Sequence, residues 1–327
     1  MLGVRLTGTG RAEVSPRLDN HQLSQLVDTS DEWIVTRTGI RARRLVSAEQ
    51  GVTDLAVQAA QNALAAAGLT PFEVELIILA TSTPDDLFGS ASLVQDRLGA
   101  KRAVAFDLTA ACSGFVFGVV TAAQFLKTGA YRRAVVIGAD VLSRWVDWQD
   151  RRTCVLFGDG AGAVVLEASA QDRLLGFELQ NDGSQNACLT LAYQGQPRPL
   201  IDDVTVTLGA YQFIAMNGQE VYKFAVKRVP EVIEKALFRA GLTSDQVDYF
   251  VLHQANQRIL DAVAAKLAVP PERMLSNLDR YGNTSAASIP IVLDEAVRSG
   301  HIQAGHTLVL AGFGAGLTLG ALVCRWG

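Results

Sequence analysis

The chain has 327 residues, of which 49% are hydrophobic, and it carries a formal net charge of −4 at pH 7. This composition can bury a large core, and the acidic balance gives no reason to expect nucleic-acid binding. No run of about 18 apolar residues suggests a membrane span, and residues 1–14 lack the apolar segment of a signal peptide. We therefore expect a cytoplasmic protein.

The first half of the chain alternates helices with short apolar strands. Residues 53–67 place apolar side chains on one face of a helix, and residues 74–80 form an apolar run rich in β-branched residues. The pattern continues as a strand over 104–108, a helix over 114–127 and a strand over 133–138. This alternation predicts a mostly parallel sheet covered by helices.

The second half has the same character. Its residue pattern predicts a helix over 221–240, a strand over 249–252 and a helix over 257–267. A helix over 289–299 and a strand over 307–311 follow. The two halves are expected to pack together as one layered α/β unit.

An internal repeat relates the two halves. The segment AGLT at 67–70 recurs at 240–243, an offset of 173 residues (67 to 240). The same offset carries the apolar run at 135–137 onto 308–310, which suggests that no net insertion separates the copies. Solenoid repeats have units of about 20–50 residues, so a period this long indicates a duplicated half-domain instead.

Of the four cysteines, Cys112 occupies the position most typical of a nucleophile. It follows a predicted strand and opens a predicted helix, whose unpaired N–H groups and partial positive charge favour a thiolate. Cys154 and Cys324 lie in apolar runs and are expected to be buried, whereas Cys188 carries no decisive signal. The cysteines form no C-x-x-C pair, so neither a metal site nor a disulfide framework is indicated. Position alone leaves Cys112 evenly balanced between catalysis and packing.

Two polar residues of the second half join Cys112. His253 ends the predicted strand 249–252, and ligands bind at the carboxyl ends of strands in open α/β sheets. Asn283 lies in a turn that the offset matches to Ala110, two residues from Cys112. Taken singly, His253 could be a core imidazole and Asn283 a turn or capping residue. Taken together, the three residues predict one site between the halves.

Six short motifs carry a resemblance to a known family. They are DEWI at 31–34, RTGI at 37–40, AACSG at 110–114, FGDGA at 157–161, HQAN at 253–256 and GNTS at 282–285. With them the chain resembles β-ketoacyl-acyl carrier protein synthase III over essentially its whole length. The resemblance implies the α/β thiolase fold, with five layers in the order α/β/α/β/α and two pseudo-twofold halves. Residues 1–172 would carry the cysteine, and residues 173–327 the histidine and asparagine.

The resemblance also implies an activity. It is the decarboxylating Claisen condensation of an acyl-CoA primer, with acetyl-CoA as the first choice, and malonyl-acyl carrier protein, which initiates type II fatty acid synthesis. Cys112 would form an acyl-enzyme, and the backbone N–H groups of Cys112 and Ala315 would form the oxyanion hole. His253 and Asn283 would stabilise the enolate that forms as carbon dioxide leaves. No cofactor or metal is implied, because the coenzyme A thioester is a substrate.

Binding residues and partners follow from the same resemblance. Coenzyme A would be bound by Trp33, Arg37, Arg151 and Asn256, with Trp33 and Arg151 enclosing the adenine and Arg37 meeting the phosphates. Lys223 and Arg258 would dock the acidic acyl carrier protein. The acyl pocket would be lined by Phe88 of the opposite subunit and by Leu142, Phe157, Leu189, Tyr222 and Phe313. A homodimer in the cytoplasm, or in a plastid stroma, is expected, with no membrane or nucleic-acid partner.

Three alternatives remain to be weighed. A papain-like cysteine peptidase uses the same three residue types in this chain order, but its local cysteine signature is absent. Condensing enzymes and acyltransferases of secondary metabolism share the fold and take a different acceptor, so only substrate assays separate them. A non-catalytic scaffold is disfavoured because all three catalytic residue types are present. The glycine motifs at 158–162 and 312–316 do not follow the strand, turn and helix order of a dinucleotide site.

Overall fold

Two five-stranded sheets and the helices around them form the fold. The computed structural model describes residues 2–327. The strands are β1 (Gly3–Arg11), β2 (Arg17–Asp19), β3 (Ala42–Arg44), β4 (Leu76–Ala80), β5 (Val104–Leu108), β6 (Arg133–Val141), β7 (Asp159–Ser169), β8 (Leu174–Asn181), β9 (Leu189–Thr190), β10 (Tyr193–Ile201), β11 (Val204–Tyr211), β12 (Ala215–Met216), β13 (Tyr249–Leu252), β14 (Met274–Leu275), β15 (Thr307–Gly314) and β16 (Thr318–Arg325). The helices are α1 (Asn20–Leu23), α2 (Asp31–Thr38), α3 (Val52–Ala67), α4 (Ala91–Leu98), α5 (Gly114–Lys127), α6 (Gly218–Ala240), α7 (Gln257–Lys266), α8 (Leu278–Tyr281) and α9 (Ser288–Arg298).

The two sheets have the same construction. The first has the strand order β5-β4-β6-β7-β1 and the second β14-β13-β15-β16-β8. In each sheet the second strand pairs in parallel with both of its neighbours, and the fourth pairs antiparallel with both of its neighbours. The matching order and directions confirm the duplicated thiolase-like architecture. The prediction of a mostly parallel sheet is wrong, because β7 and β16 return directly beside β6 and β15 instead of crossing over a helix.

Five layers stack in the predicted order. Helices α5 and α9 lie between the two sheets, where Phe115 and Ile289 are fully buried in a core shared with strands of both sheets. Helices α3 and α4 cover the outer face of the first sheet, and α6 and α7 cover the outer face of the second. Sheet strands buried on both faces explain the near-continuous apolar runs of the sequence.

The repeated AGLT segment has a direct structural reason. Gly68 ends α3 and Gly241 ends α6 in the left-handed conformation, with φ of 68° and 67°, which glycine adopts without the strain of a Cβ. Thr70 and Thr243 then each begin a capping box that opens a 3₁₀ turn before the next strand. The repeat thus encodes the same helix-to-strand connection twice.

The offset between the halves changes along the chain. Leu76 of β4 pairs with Ala134, whereas its counterpart Tyr249 of β13 pairs with Leu308. The offset is therefore 173 residues at the first strand (76 to 249) and 174 at the second (134 to 308). The prediction that 135–137 corresponds to 308–310 is wrong by one residue, because the connections between these strands differ in length.

The shift of one residue changes which turns are counterparts. Ala111 and Ser285 share an unusual positive φ, 48° and 50°, and each begins a 3₁₀ turn that leads into an inner helix. With these two aligned, Cys112 corresponds to Ala286. Asn283 then corresponds to Thr109 and not, as the sequence suggested, to Ala110. The cysteine turn and the asparagine turn are nevertheless equivalent loops of the two halves.

The division between the halves falls near a change of sheet. β7 ends at Ser169 in the first sheet, and β8 begins at Leu174 in the second. The division into residues 1–172 and 173–327 stays a prediction. Outside the two sheets, β10 and β11 form a long exposed hairpin. Within residues 2–327, no helix combines the length and the apolar character required to cross a bilayer.

Candidate active site

Cys112 lies in the 3₁₀ turn Ala111–Ser113, between the end of β5 and the start of α5. Its side chain is buried, and the β15 backbone packs against it so closely that a Cβ on Gly314 would lie 2.6 Å from the Cys112 nitrogen. A glycine is therefore required at this contact between the halves. Thr318 joins the same turn to β16, with its Oγ1 donating to the Ala110 carbonyl at 2.9 Å.

His253 follows β13 directly, as the sequence predicted, and its side chain is almost completely buried. Its ring meets that of Phe313 edge to face, with centroids 5.3 Å apart. His253 Nδ1 lies 2.8 Å from the hydroxyl oxygen of Ser288, at the start of α9. The Ser288 hydroxyl also donates to the Ser285 carbonyl at 2.9 Å. These contacts fix the orientation of the imidazole through Nδ1. The other ring nitrogen, Nε2, is not engaged by Ser288.

Asn283 is held in the turn after α8 by its backbone and by its side-chain oxygen. Its N–H donates to the Leu156 carbonyl, and its carbonyl accepts from the Gly158 N–H, both at 2.9 Å. Its Oδ1 accepts from the Ser285 N–H at 2.9 Å. Because the oxygen is engaged within the turn, the Nδ2 group is the part of the side chain that is available to donate elsewhere.

One cavity of about 1160 Å³ brings the three residues together. Cys112 comes from the first half, and His253 and Asn283 come from the second. The residues that line the cavity with them include Arg37, Phe157, Leu189, Tyr222 and Phe313. A nucleophile, an imidazole and an amide donor that line one largely apolar cavity are suited to acyl transfer.

The protonation states of Cys112 and His253 differ from the sequence expectation. Burial raises the pKa of the Cys112 thiol to about 12, opposed by the Ser285 hydroxyl and increased by the nearby Asp140 charge. Burial lowers the pKa of His253 to about 3. The free site therefore holds a neutral thiol and a neutral imidazole. The prediction that the helix terminus would favour a thiolate is wrong for this state, because loss of water outweighs the helix charge.

The depressed pKa of His253 predicts an acid-sensitive fold. The imidazole has a pKa of about 3 when folded and a reference value of 6.5, so below pH 6.5 the unfolded chain binds a proton that the folded chain excludes. Stability is therefore lost as the pH falls from 6.5 toward 3. We expect the melting temperature to fall less steeply over this range in His253→Gln than in the parent protein. His301→Gln, at an exposed histidine, is the control; parallel curves for parent and His253→Gln would contradict the prediction.

The predicted coenzyme A residues meet at the mouth of the cavity. The Trp33 ring lies 4.5 Å from the Arg37 guanidinium carbon and 5.2 Å from that of Arg151. A base stacked between Trp33 and Arg151 needs about 7 Å, two contacts of about 3.5 Å each, so Arg151 has to move outward to admit it. The neighbouring Arg152 also lines the cavity, but its guanidinium forms a bidentate ion pair with Asp150.

Asn256 and the two predicted docking residues lie at the same opening. Asn256 caps α7 by accepting from the Arg258 N–H at 2.9 Å, and its Nδ2 donates to the Arg37 carbonyl at 3.0 Å. Its visible role is therefore to join α7 to α2. Lys223 is exposed and forms an ion pair with Glu220, whereas the Arg258 guanidinium lies over the Tyr222 ring. These two residues present positive charge beside the opening.

The predicted acyl-pocket and oxyanion residues divide into two groups. Phe157, Leu189, Tyr222 and Phe313 line the cavity. Leu142 is buried in the adjacent core cluster and does not line it. Phe88 lies outside the cavity and is fully exposed. Gly314, the residue before Ala315, lines the cavity, but Ala315 does not.

Sequence reasoning missed two polar residues that support the site. Ser288 contacts His253, and Asp140, at the end of β6, contacts the turn of Asn283. Ser288 lies three residues after the GNTS motif at 282–285, but nothing in the sequence pairs it with His253. Asp140 lies in an otherwise apolar strand, and an acidic residue in such a strand is a sequence signal for a buried charge. Within residues 2–327, no group of three or more His, Cys, Asp or Glu side chains is arranged to hold a metal ion.

Comparison with known proteins gives consistent matches along the chain. The profile described as "3-Oxoacyl-[acyl-carrier-protein (ACP)] synthase III" matches residues 106–183, and its C-terminal counterpart matches residues 237–326. The chain is 63% identical over 327 residues to the β-ketoacyl-[acyl-carrier-protein] synthase III of Synechococcus elongatus, covering 100% of this chain and 98% of that protein. It is 61% identical over 326 residues to the enzyme of the same name from Nostoc sp., covering 100% and 99%.

A solved structure agrees with these sequence matches. The crystal structure of 3-oxoacyl-[acyl-carrier-protein] synthase III from Aquifex aeolicus superposes with a TM-score of 0.91 at 44% sequence identity. The superposition covers 99% of this chain and 100% of that one. At this identity and coverage, the similarity shows both the fold and the family of the chain.

Proposed function

The chain belongs to the β-ketoacyl-[acyl-carrier-protein] synthase III family, and we propose that Cys112, His253 and Asn283 carry out the family's reaction in the cavity they line. The enzyme is an acyltransferase that initiates fatty acid synthesis by condensing an acyl-CoA primer with malonyl-acyl carrier protein. It uses the coenzyme A thioester as a substrate and requires no cofactor. The observation that supports the residue assignment is the presence of all three side chains in one cavity that opens beside Trp33.

The first half-reaction is the acylation of Cys112. Its sulfur attacks the thioester carbonyl of the primer, the bond from carbon to the coenzyme A sulfur breaks, and the coenzyme leaves as a thiol. Because the Cys112 pKa is raised to about 12, the thiol must lose its proton as it attacks. The neutral imidazole of His253 accepts that proton and passes it to the leaving sulfur. The Cys112 backbone N–H, with a second N–H from the turn at Gly314 and Ala315, stabilises the oxyanion.

The second half-reaction is decarboxylation followed by carbon–carbon bond formation. The bond to the malonyl carboxylate breaks, its electrons form an enolate, and carbon dioxide leaves. His253 Nε2–H and Asn283 Nδ2–H donate to the enolate oxygen. The enolate carbon then attacks the acyl group on Cys112, the bond from carbon to the Cys112 sulfur breaks, and the thiolate that leaves takes one proton from solvent water. The Ser288 hydroxyl allows His253 to serve both steps, because it has two acceptors within reach, the Ser285 carbonyl and His253 Nδ1. When the hydroxyl donates to Ser285, it accepts from Nδ1–H and leaves Nε2 free to take a proton. When it donates to Nδ1, Nε2 carries the proton and can donate to the enolate.

The decisive experiment follows the mass of the intact protein. The enzyme is mixed with a panel of acyl-CoA thioesters, with acetyl-CoA as the proposed primer, and malonyl-acyl carrier protein is then added. Acylation at Cys112 followed by discharge as β-ketoacyl-carrier protein is expected. Acylation without discharge would instead favour an acyltransferase or a condensing enzyme of secondary metabolism that takes another acceptor.

Removing the aromatic ring at the cavity mouth should weaken primer binding. If Trp33 stacks on the adenine, Trp33→Ala is expected to raise KM for the acyl-CoA about tenfold, a loss of about 1.4 kcal/mol, with kcat nearly unchanged. Steady-state kinetics check this at saturating malonyl-acyl carrier protein. Phe72→Ala is a matched control, because Phe72 is an exposed ring beside Arg102 that does not line the cavity. Equal KM values for parent and Trp33→Ala would refute the stacking assignment.

The proposal includes a homodimer in the cytoplasm, where the enzyme would find acyl-CoA and malonyl-acyl carrier protein. Strand β5 is at the edge of the first sheet, and half of the Val104 side chain at its start is exposed. Phe88 and Leu87 are exposed at 103% and 78%, which is unusual for apolar side chains of this size. Sedimentation equilibrium should give twice the mass of one chain. A monomer would remove the proposed contribution of Phe88 to the partner's pocket.

A further inference from the structure

A buried carboxylate that the reaction does not use joins the two halves beside the active site. Asp140 is 0% exposed, and none of its partners in the described structure is a lysine or arginine. Its Oδ1 accepts hydrogen bonds from the Ser82 N–H at 2.8 Å and from the hydroxyls of Thr81 and Thr83. Its Oδ2 accepts from the Ala286 N–H at 3.1 Å. Burial of a charge is costly, and these hydrogen bonds offset part of that cost.

The position of Asp140 in the duplicated fold suggests its role. Gly138 packs against the Ala286 carbonyl as Gly312 packs against the Cys112 carbonyl, so β6 meets the asparagine turn as β15 meets the cysteine turn. Against the cysteine turn, β15 places Gly314, which has no side chain and lies close to the Cys112 nitrogen. Against the asparagine turn, β6 places Asp140 at the position equivalent to Gly314, and its carboxylate accepts from the Ala286 N–H. The duplication thus places a glycine against the cysteine turn and a carboxylate against the asparagine turn.

We propose that Asp140 is a positioning residue for decarboxylation, anchoring the asparagine turn Asn283–Ala286 of the second half to the Thr81–Thr83 turn of the first. This inference rests on the proposed function, because it assigns Asn283 to the second half-reaction. Ala286 lies three residues from Asn283, and Ser285 between them has a strained positive φ of 50°. A strained turn keeps its shape only when surrounding contacts hold it. The carboxylate supplies such a contact from the other half of the molecule.

An amide cannot replace this carboxylate. Each carboxylate oxygen accepts one backbone N–H, Ser82 on one side and Ala286 on the other. In Asp140→Asn, one of these N–H groups must face the NH₂ group, donor against donor. The oxygen is expected to stay with its three donors at Thr81–Thr83, so the Ala286 contact is lost. Removal of the charge also eases thiolate formation at Cys112, since the Asp140 charge adds to the burial that raises the pKa of that thiol.

The test separates the two half-reactions in single turnovers. In Asp140→Asn, acylation of Cys112 by acyl-CoA is expected to stay within about threefold of the parent rate. Discharge of the preformed acyl-enzyme by malonyl-acyl carrier protein should slow by about tenfold to a hundredfold, as a misplaced catalytic group would cause. The matched control is Asp159→Asn, another fully buried carboxylate, whose side chain accepts from the backbone of Val46 and Ser143 and has no hydrogen bond to residues 283–286.

Two outcomes would overturn the inference: equal slowing of both half-reactions in Asp140→Asn, or the same selective loss in Asp159→Asn. Hydrogen exchange of a peptide spanning residues 281–288 gives a readout that does not require activity. Exchange in this peptide should rise in Asp140→Asn and not in Asp159→Asn. This holds even if the enzyme condenses the primer with a substrate other than malonyl-acyl carrier protein. Unchanged exchange in Asp140→Asn would refute the anchoring role of Asp140. If Asp140→Asn does not fold, Asp140→Ser avoids the donor–donor contact and permits the same comparisons.

Discussion

Cys112→Ala is expected to abolish acyl-enzyme formation and to lower the condensation rate by about 10⁴-fold to 10⁶-fold, the scale seen when a covalent nucleophile is removed. The reason is chemical, because the Cys112 sulfur holds the primer as a thioester through the second half-reaction and alanine has no nucleophilic atom. Intact-mass spectrometry after addition of acyl-CoA measures the covalent step, and release of β-ketoacyl-carrier protein measures the complete reaction.

Cys154→Ala is the appropriate control for the loss of a buried thiol. Cys154 is fully buried, and burial raises the pKa of its thiol to about 11, but Cys154 itself does not line the cavity. Cys154→Ala should form the acyl-enzyme as the parent does, with at most a lower melting temperature. If Cys112→Ala condensed primer and malonyl-acyl carrier protein at the parent rate, the covalent mechanism would be wrong.

Asn283→Asp should separate the half-reactions. Aspartate keeps an oxygen that can accept from the Ser285 N–H, which the parent side chain contacts at 2.9 Å, but it lacks the NH₂ donor. We expect acylation of Cys112 to continue, whereas discharge by malonyl-acyl carrier protein slows by about 10²-fold to 10³-fold, a loss of about 2.7–4 kcal/mol for one removed donor. Stopped-flow mixing of the preformed acyl-enzyme with malonyl-acyl carrier protein measures the discharge.

Asn277→Asp is a matched substitution close to the same turn. Asn277 is also buried, but its amide donates to Glu295 at 3.0 Å, and it does not line the cavity. This variant should lose stability, since it brings a carboxylate against Glu295, while the ratio of acylation to discharge stays at the parent value. A discharge rate that Asn283→Asp leaves unchanged would show that Asn283 does not contact the enolate.

The sequence by itself determined the secondary-structure elements and the duplication. Helix 114–127 was predicted with its observed bounds, and strand 249–252 likewise, because apolar periodicity and glycine turns act over a few residues. Local signals also placed Cys112 at a helix start and His253 at a strand end. The motifs gave the family, which the comparisons confirm.

Only the tertiary structure decided the pairing directions, the charge states and the second layer of the site. The sheets are mixed because β7 and β16 pair beside strands that precede them, a choice that periodicity does not record. Cys112 is a thiol because segments far along the chain exclude water from it, and desolvation depends on all of them together. Asp140 contacts Ala286 across 146 residues of sequence, so no local pattern reveals its role. Contacts between the halves decide what the turns of each half can do.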